Sequence, residues 1–518
     1  TKGNNLFIFG DNNVGTNNGV KHFLKETVNY EYYYKGVETY NTNVSNISFG
    51  KENFVSNTSF LGGYDVNAET RSDSGLSWNN DFSYAIDTGL MGDNAAGKYG
   101  VYGNWHNELR CATDKGITLY QTSIRNNPQK HIDLSSNNNA QKVAEWLNEK
   151  FYSQGKDDVM FCLMDDFSWY NTTDSQSEFS SIYYSFMNMV AEKLENIVTR
   201  KVYLVAVAYH QTVVCPTDWV PHNGSKVGIK VYLSPSDIVF SSKPDSKFNN
   251  KTIPMQEDRN GSSTYSFNPY QNILNWKNLK ETYNFPMFVY LYDSLPNYFA
   301  PLLTTQYMLD YYKLFKSMGV ERLYDMGQYD NANATDWTRL KTYLKGKLTD
   351  NCDINEEQFE QLIVNFFNAY YGEAGIYMKQ AFDLEFSTIT NPLSPGENDY
   401  DKYYGTKHDR QFPLYLRGYY YTKKTGFPAK YPTVTFFENS SKTGIMDYYD
   451  KALNAVNGNK TLEDRVKLDG LALRYWYWGC NSSDSGLYGG GSSFGYKNAR
   501  QETFEQIIAD AKNLGVTQ

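Results

Sequence analysis

The sequence predicts an α/β protein centred on a (β/α)8 TIM-like barrel, with a small N-terminal α/β piece and a C-terminal helical domain. Three observations lead there. Between about residues 51 and 345, short apolar runs alternate with stretches of helical period, the pattern of α/β layering. Four of those runs, at 159–164, 202–208, 287–291 and 320–324, are almost continuously apolar, as parallel strands buried on both faces are. Beyond residue 350 the strand pattern nearly stops and amphipathic helices follow one another.

Taken in order, residues 1–50 read as a strand at 6–10, a helix at 19–28 and a strand at 32–34. The barrel segment, 51–345, then supplies eight candidate strands: 54–61, 98–102, 117–121, 158–165, 201–209, 228–233, 286–293 and 321–327. Helices are expected at 140–151, 177–197, 272–282 and 305–318, between the later strands. Eight strands with intervening helices point to a closed barrel. The alternative is an open doubly wound sheet, but no GxGxxG follows the first strand, so a nucleotide site is not expected. Segment 346–518 reads as helices at 355–369, 372–386, 445–456, 462–478 and 503–514, joined by loops rich in Tyr, Gly and Asn.

Composition bounds the function. The 518-residue chain carries a formal net charge of −9 and an aromatic content of 16%. The aromatic content argues against a disordered chain. No run of about 18 apolar residues is present, so no membrane span is expected. The acidic balance argues against nucleic acid as a partner, because phosphate binding needs a basic face. An excess of Tyr and Trp suits wet, half-apolar ligands such as sugars, whose C–H faces stack while their hydroxyls hydrogen-bond; a mere compositional bias would give the same numbers. Five widely spaced cysteines and six histidines form no metal-ligand spacing, so neither a metal nor a cofactor is expected.

Barrel enzymes place their reactive groups at the C-terminal ends of the strands. The fourth predicted strand runs into Asp165 and Asp166, followed by Trp169. The fifth runs into Tyr209 and His210, the seventh into Tyr292 and Asp293, and the eighth into Asp325 and Tyr329. Neighbouring carboxylates in a partly buried mouth cannot both ionise freely, so one stays protonated and can act as an acid. Glycoside cleavage needs that division of labour. Where the sugar carries a 2-acetamido group, that group can be the nucleophile and the second carboxylate orients it. A competing reading makes one Asp a turn cap and the aromatics packing residues. Asp293 and Asp325 are alternative acids, and the absence of GxSxG weakens an esterase reading.

The helix containing Asn188 and Ala191, the strand end Ala208-Tyr209-His210-Gln211-Thr212 with Pro216 after it, and the helix carrying Tyr370-Tyr371-Gly372-Glu373-Ala374 together resemble the bacterial domain-of-unknown-function family 4838. Arg465 and Tyr475 are similar to its C-terminal end, so the resemblance runs from about residue 19 to 514. That group includes glycoside hydrolase family 163, whose members are endo-β-N-acetylglucosaminidases acting on N-glycans. The resemblance implies a carbohydrate-active barrel enzyme, exported to the cell surface, the periplasm or the medium, with a glycan or glycoprotein as substrate. It places the carboxylate expected after strand four on Asp165 and Asp166. On our reading either Asp166 is the general acid and Asp165 orients the acetamido group, or the two exchange roles, with Trp169, Tyr209, His210, Tyr292, Asp293 and Tyr329 around the sugar. The rival expectation is a non-catalytic glycan-binding protein on a degenerate barrel.

Overall fold

The computed structural model describes residues 6–9, 13–44, 61–65, 107–122, 129–163, 176–209, 212–235, 238, 240, 243–246, 249–250, 252–254, 266–291, 304–326, 337–390, 438, 440–480 and 502–515. Its strands are β1 (Glu31–Tyr34), β2 (Val37–Thr39), β3 (Leu61–Asp65), β4 (Leu119–Thr122), β5 (Gln129–Ile132), β6 (Asp158–Phe161), β7 (Val202–Ala208), β8 (Val227–Leu233), β9 (Ile253–Pro254), β10 (Ser266–Phe267), β11 (Met287–Leu291) and β12 (Arg322–Met326). Its helices are α1 (Asn13–Val28), α2 (Glu108–Lys115), α3 (Asn137–Lys150), α4 (Gln176–Glu195), α5 (Pro269–Tyr283), α6 (Met308–Ser317), α7 (Thr338–Asp350), α8 (Glu356–Tyr371), α9 (Gly375–Thr390), α10 (Ile445–Ala455), α11 (Lys460–Cys480) and α12 (Phe504–Asn513).

Six strands form one sheet in the order β3-β12-β11-β8-β7-β6, and every pairing in it is parallel. The first strand of this sheet in the chain, β3, is thus hydrogen-bonded to the last, β12, over five residue pairs. β8 and β11 are buried along their whole length, the result expected where helices cover one face and something else covers the other. One face carries Val159, Phe161, Leu204, Ala206, Ile229, Val231, Met287 and Val289 into the main core, under the helices. The opposite face carries a separate buried cluster of Met160, Cys162, Val205, Val207, Tyr232, Phe288 and Tyr290. Strand alternation assigns each residue to its face.

Two sequence expectations fail. Residues 6–9 form no strand. The run at 117–121 becomes β4, which pairs antiparallel with β5 in a hairpin of its own rather than joining the parallel sheet. The edge of β6 is instead met by Asn107 and Glu108. Asn107 Nδ2 donates to Met160 O at 2.9 Å, and Cys162 N donates to Asn107 Oδ1 at 3.0 Å. Glu108 N then donates to Cys162 O at 3.2 Å. A side-chain amide has the same donor and acceptor pair as a backbone unit, so it can close an edge. Glu108 is fully buried, and its carboxylate receives His131 Nδ1 at 2.8 Å and Ile132 N at 2.8 Å.

From Thr338 onward the described elements are helices. α7 is buried on nearly all sides, and Arg339, Lys341, Thr342 and Lys345 are all buried in it. Arg339 lies 3.2 Å from the buried carboxylate of Asp469 on α11, and Tyr371 Oη donates to the same carboxylate at 2.7 Å. The β1–β2 hairpin packs on these helices through Tyr33 against Tyr343, with ring centroids 5.2 Å apart, and Glu31 pairs with Lys347. The Tyr370-Tyr371-Gly372 stretch is explained by geometry. Gly372 adopts φ +56 at the end of α8, where a side chain is strained. A Cβ on Gly375 would stand 2.5 Å from Phe367 O, so only glycine lets α9 start against α8. Arg465 donates to Tyr370 O at 2.8 Å, capping a free carbonyl of that helix end.

Candidate functional site

The C-terminal ends of β6 and β7, and the segment that leads into β8, are held in place by one face of α4. Spaced three and four residues apart, Ser180, Tyr183, Tyr184 and Asn188 share that face. Tyr183 Oη donates to Phe161 O and accepts from Val207 N, both at 3.0 Å, which ties the ends of β6 and β7 together. Burial pushes its phenol above the ordinary range, so it stays a neutral hydroxyl able to play both parts. Tyr184 Oη donates to Thr212 O at 3.0 Å, and Ser180 Oγ to Val214 O. Asn188 donates to Val220 O at 2.8 Å and accepts from His222 N at 2.9 Å, which fixes the approach to β8.

Tyr209 follows β7 directly. Its N–H donates to Thr212 Oγ1 at 3.2 Å, and the Thr212 hydroxyl faces Val207 O at 2.7 Å. The turn so closed leaves Tyr209 half-buried against the second-face cluster. Val207, Tyr232, Phe288 and Arg322 stand in one row by strand register. Two residues further along the same face of each strand come Tyr209, Ser234 and Tyr290. Ring centroids of Tyr232 and Tyr290 are 5.8 Å apart. Ser234 Oγ is buried and has no hydrogen-bond partner among the described residues.

Toward the N-terminal ends the same face is charged. Lys230 Nζ lies 2.8 Å from Asp158 Oδ2, over the Tyr203 ring at 4.1 Å and the Phe288 ring at 5.2 Å. The Arg322 guanidinium lies 4.9 Å from the Phe288 centroid. Cations and an acid thus fill the lower part, while hydroxyl-bearing aromatics reach the upper end. In parallel α/β sheets ligands gather outside the carboxyl ends of the strands.

Of the sequence-predicted site residues, Tyr209 and the alternative acid Asp325 lie within the described set. Asp165, Asp166, Trp169, His210, Tyr292, Asp293 and Tyr329 lie outside the described residues. Asp325 stands in β12, in register with Leu291 of β11 and Tyr64 of β3. Tyr232, Ser234 and Tyr290 were not among the candidates. Their signal was period-two spacing within strands whose other face is apolar, and it becomes visible only when the strands are laid side by side.

Burial pushes the Cys111 and Cys215 thiols up to about 12, so neither supplies a thiolate at neutral pH. Among the described residues no group of three or more His, Cys, Asp or Glu could hold a metal ion, and no helix is long and apolar enough to cross a membrane.

Residues 126–383 match the family model described as domain of unknown function (DUF4838). That match supports a place in the DUF4838 family for this segment. The DUF4838 match takes in β6, β7, β8, β11 and β12, the Tyr209–Thr212 turn, and the α8–α9 corner at Gly372. It leaves out β3, the Asn107–Glu108 edge cover and helices α10 to α12. No curated protein matches the chain.

Proposed function

We propose that this protein is a glycoside hydrolase that cleaves β-linked N-acetylhexosamine within glycans, in the manner of an endo-β-N-acetylglucosaminidase. The observation that carries the reading is the row of Tyr209, Ser234 and Tyr290 at the C-terminal end of a parallel sheet whose first and last strands pair. Pairing of β3 with β12 is the contact that closes a (β/α)8 barrel, and six strands in the order first, last and then backwards fit six consecutive positions of one. Phenol rings and a buried hydroxyl suit a sugar, which needs stacking surface and hydrogen-bond partners together. Of the described cations of this face, Lys230 is taken up by Asp158, and Arg322 stands one row below Tyr290. The resemblance to glycoside hydrolase family 163 supports the same substrate class.

The catalytic carboxylates in this proposal are Asp165 and Asp166, which follow the end of β6 at Phe161 by four and five residues. In this proposal Asp166 takes the proton donor's role toward the leaving oxygen. Asp165 then orients the substrate's acetamido group, whose carbonyl oxygen attacks the anomeric carbon and gives a retaining outcome. Trp169, His210, Tyr292, Asp293 and Tyr329 complete the proposed subsite with Tyr209, and the proposed setting is an exported enzyme acting on glycoproteins.

The test is release of glycan from an N-glycoprotein, read by mass spectrometry, for the parent chain and for Asp165→Asn and Asp166→Asn. Loss of release in both variants, with the fold retained, is the expected result. Full release by both refutes the assignment. No release by the parent, with tight binding on a glycan array, makes the protein a non-catalytic glycan binder instead.

A further inference from the structure

Away from the strand ends, a cleft of about 480 Å³ opens between the segment Thr305–Tyr307 and helices α8 and α9. Its floor is apolar: Ile363 of α8, Phe382 and Phe386 of α9, and the half-buried Tyr307. Tyr307 and Phe386 have ring centroids 6.0 Å apart, and Phe382 and Phe386 6.3 Å. Its rim is polar: Gln306, Glu360, Asp383 and Ser387, all exposed. Helical spacing builds this division, since 382, 383, 386 and 387 fall on one side of α9. Lys379 lies 2.7 Å from both Glu360 and Asp383 and holds the two carboxylates in place.

We infer that this cleft is a second binding site, for a neutral mono- or disaccharide. Its volume falls in the range of about 300–1,000 Å³ usual for small-molecule sites. Two carboxylates against one ammonium leave the rim with an excess negative charge, which disfavours an anionic ligand. A cationic ligand would have to displace Lys379, which already satisfies both acids. A purely apolar ligand would strip water from four polar rim groups and return no hydrogen bonds. A neutral sugar meets both halves: its C–H face lies on Tyr307, and its hydroxyls donate to Glu360, Asp383 and Gln306 Oε1. None of this uses the strand-end carboxylates, so the cleft is independent of the catalytic proposal.

The experiment is a titration of the full chain with N,N′-diacetylchitobiose by calorimetry, reading the number of sites, with digalacturonate as the anionic control. Tyr307→Ala removes the stacking surface, and Ser387→Trp fills the cleft from an exposed position on α9, with retention of the fold checked by circular dichroism. Each is expected to abolish one binding equivalent, or to weaken it at least tenfold. If the strand-end site also binds, the count falls from two to one; if it does not, the count falls from one to none. The two proposals therefore fail separately. An unchanged count and affinity in Ser387→Trp overturns the inference, and so does digalacturonate binding that Ser387→Trp removes.

Discussion

Thr212 holds Tyr209 by a hydrogen bond that runs backwards along the chain. The Tyr209 N–H donates to the threonine hydroxyl, and that hydroxyl lies 2.7 Å from the carbonyl of Val207, the penultimate residue of β7. One buried hydroxyl thus ends the strand and sets the backbone from which the Tyr209 ring reaches the sheet face. Tyr184 secures the same residue from the helix side through Thr212 O.

Replacing Thr212 by Val keeps the shape and removes both bonds. A buried N–H and a buried carbonyl lose their partner, so stability should fall by about 1–3 kcal/mol, measured by urea unfolding. Thr212→Ser restores the hydroxyl and should recover most of the loss. If Thr212→Val is as stable as the parent, the hydroxyl does not hold the turn.

The Asp158–Lys230 pair predicts a sign. Both side chains are about nine-tenths buried, and the lysine also lies over two aromatic rings. Breaking such a pair leaves a lone buried charge, so Asp158→Asn or Lys230→Met alone should cost about 3–5 kcal/mol, while removing both with apolar residues of similar volume should cost far less. A double-mutant cycle on unfolding free energies measures this directly. Additive single and double losses would mean that the two groups do not act as a pair.

Glu195, the last residue of α4, should make stability pH-dependent. Burial opposes its ionisation, but hydrogen bonds from Ser225 Oγ and from the N–H groups of Lys226 and Val227, with His222 nearby, overcome that and hold its pKa down to about 2. A carboxylate depressed in the folded state adds stability above its unfolded value, near 4.5, and that stability drains away as pH falls toward 2. Glu195→Gln should therefore be less stable than the parent at pH 7, with the gap narrowing between pH 4.5 and 2. A gap of constant size across that window would show that the charge contributes nothing. Thermal unfolding of both proteins over the pH series gives the answer.

Local pattern carried most of the sheet. β7, β8 and β11 were legible because a strand buried on both faces is apolar at nearly every position, and the helices α3, α4, α5 and α8 because one stripe is apolar at helical spacing. The hairpin of β4 and β5 was not legible as such: an apolar run reports burial, but parallel or antiparallel pairing depends on which neighbour arrives. Nor was α7, whose Arg339, Lys341 and Lys345 read as solvent-facing until folding supplies partners such as Asp469, 130 residues away.

Asp165 and Asp166 stood out by adjacency alone, which any reader of the chain can see. Tyr209 was singled out after its strand, but Ser234 and Tyr290 were not, since they lie tens of residues away and come beside it only through the register of β7, β8 and β11. Burial and periodicity are properties of a residue and its near neighbours along the chain, so the sequence by itself determined the apolar strands β6, β7, β11 and β12, the amphipathic helices and the acidic pair. Proximity between distant segments is a property of the packed whole, so only the tertiary structure decided which side chains share a face, which strand pairs with which, and where a cleft opens between helices.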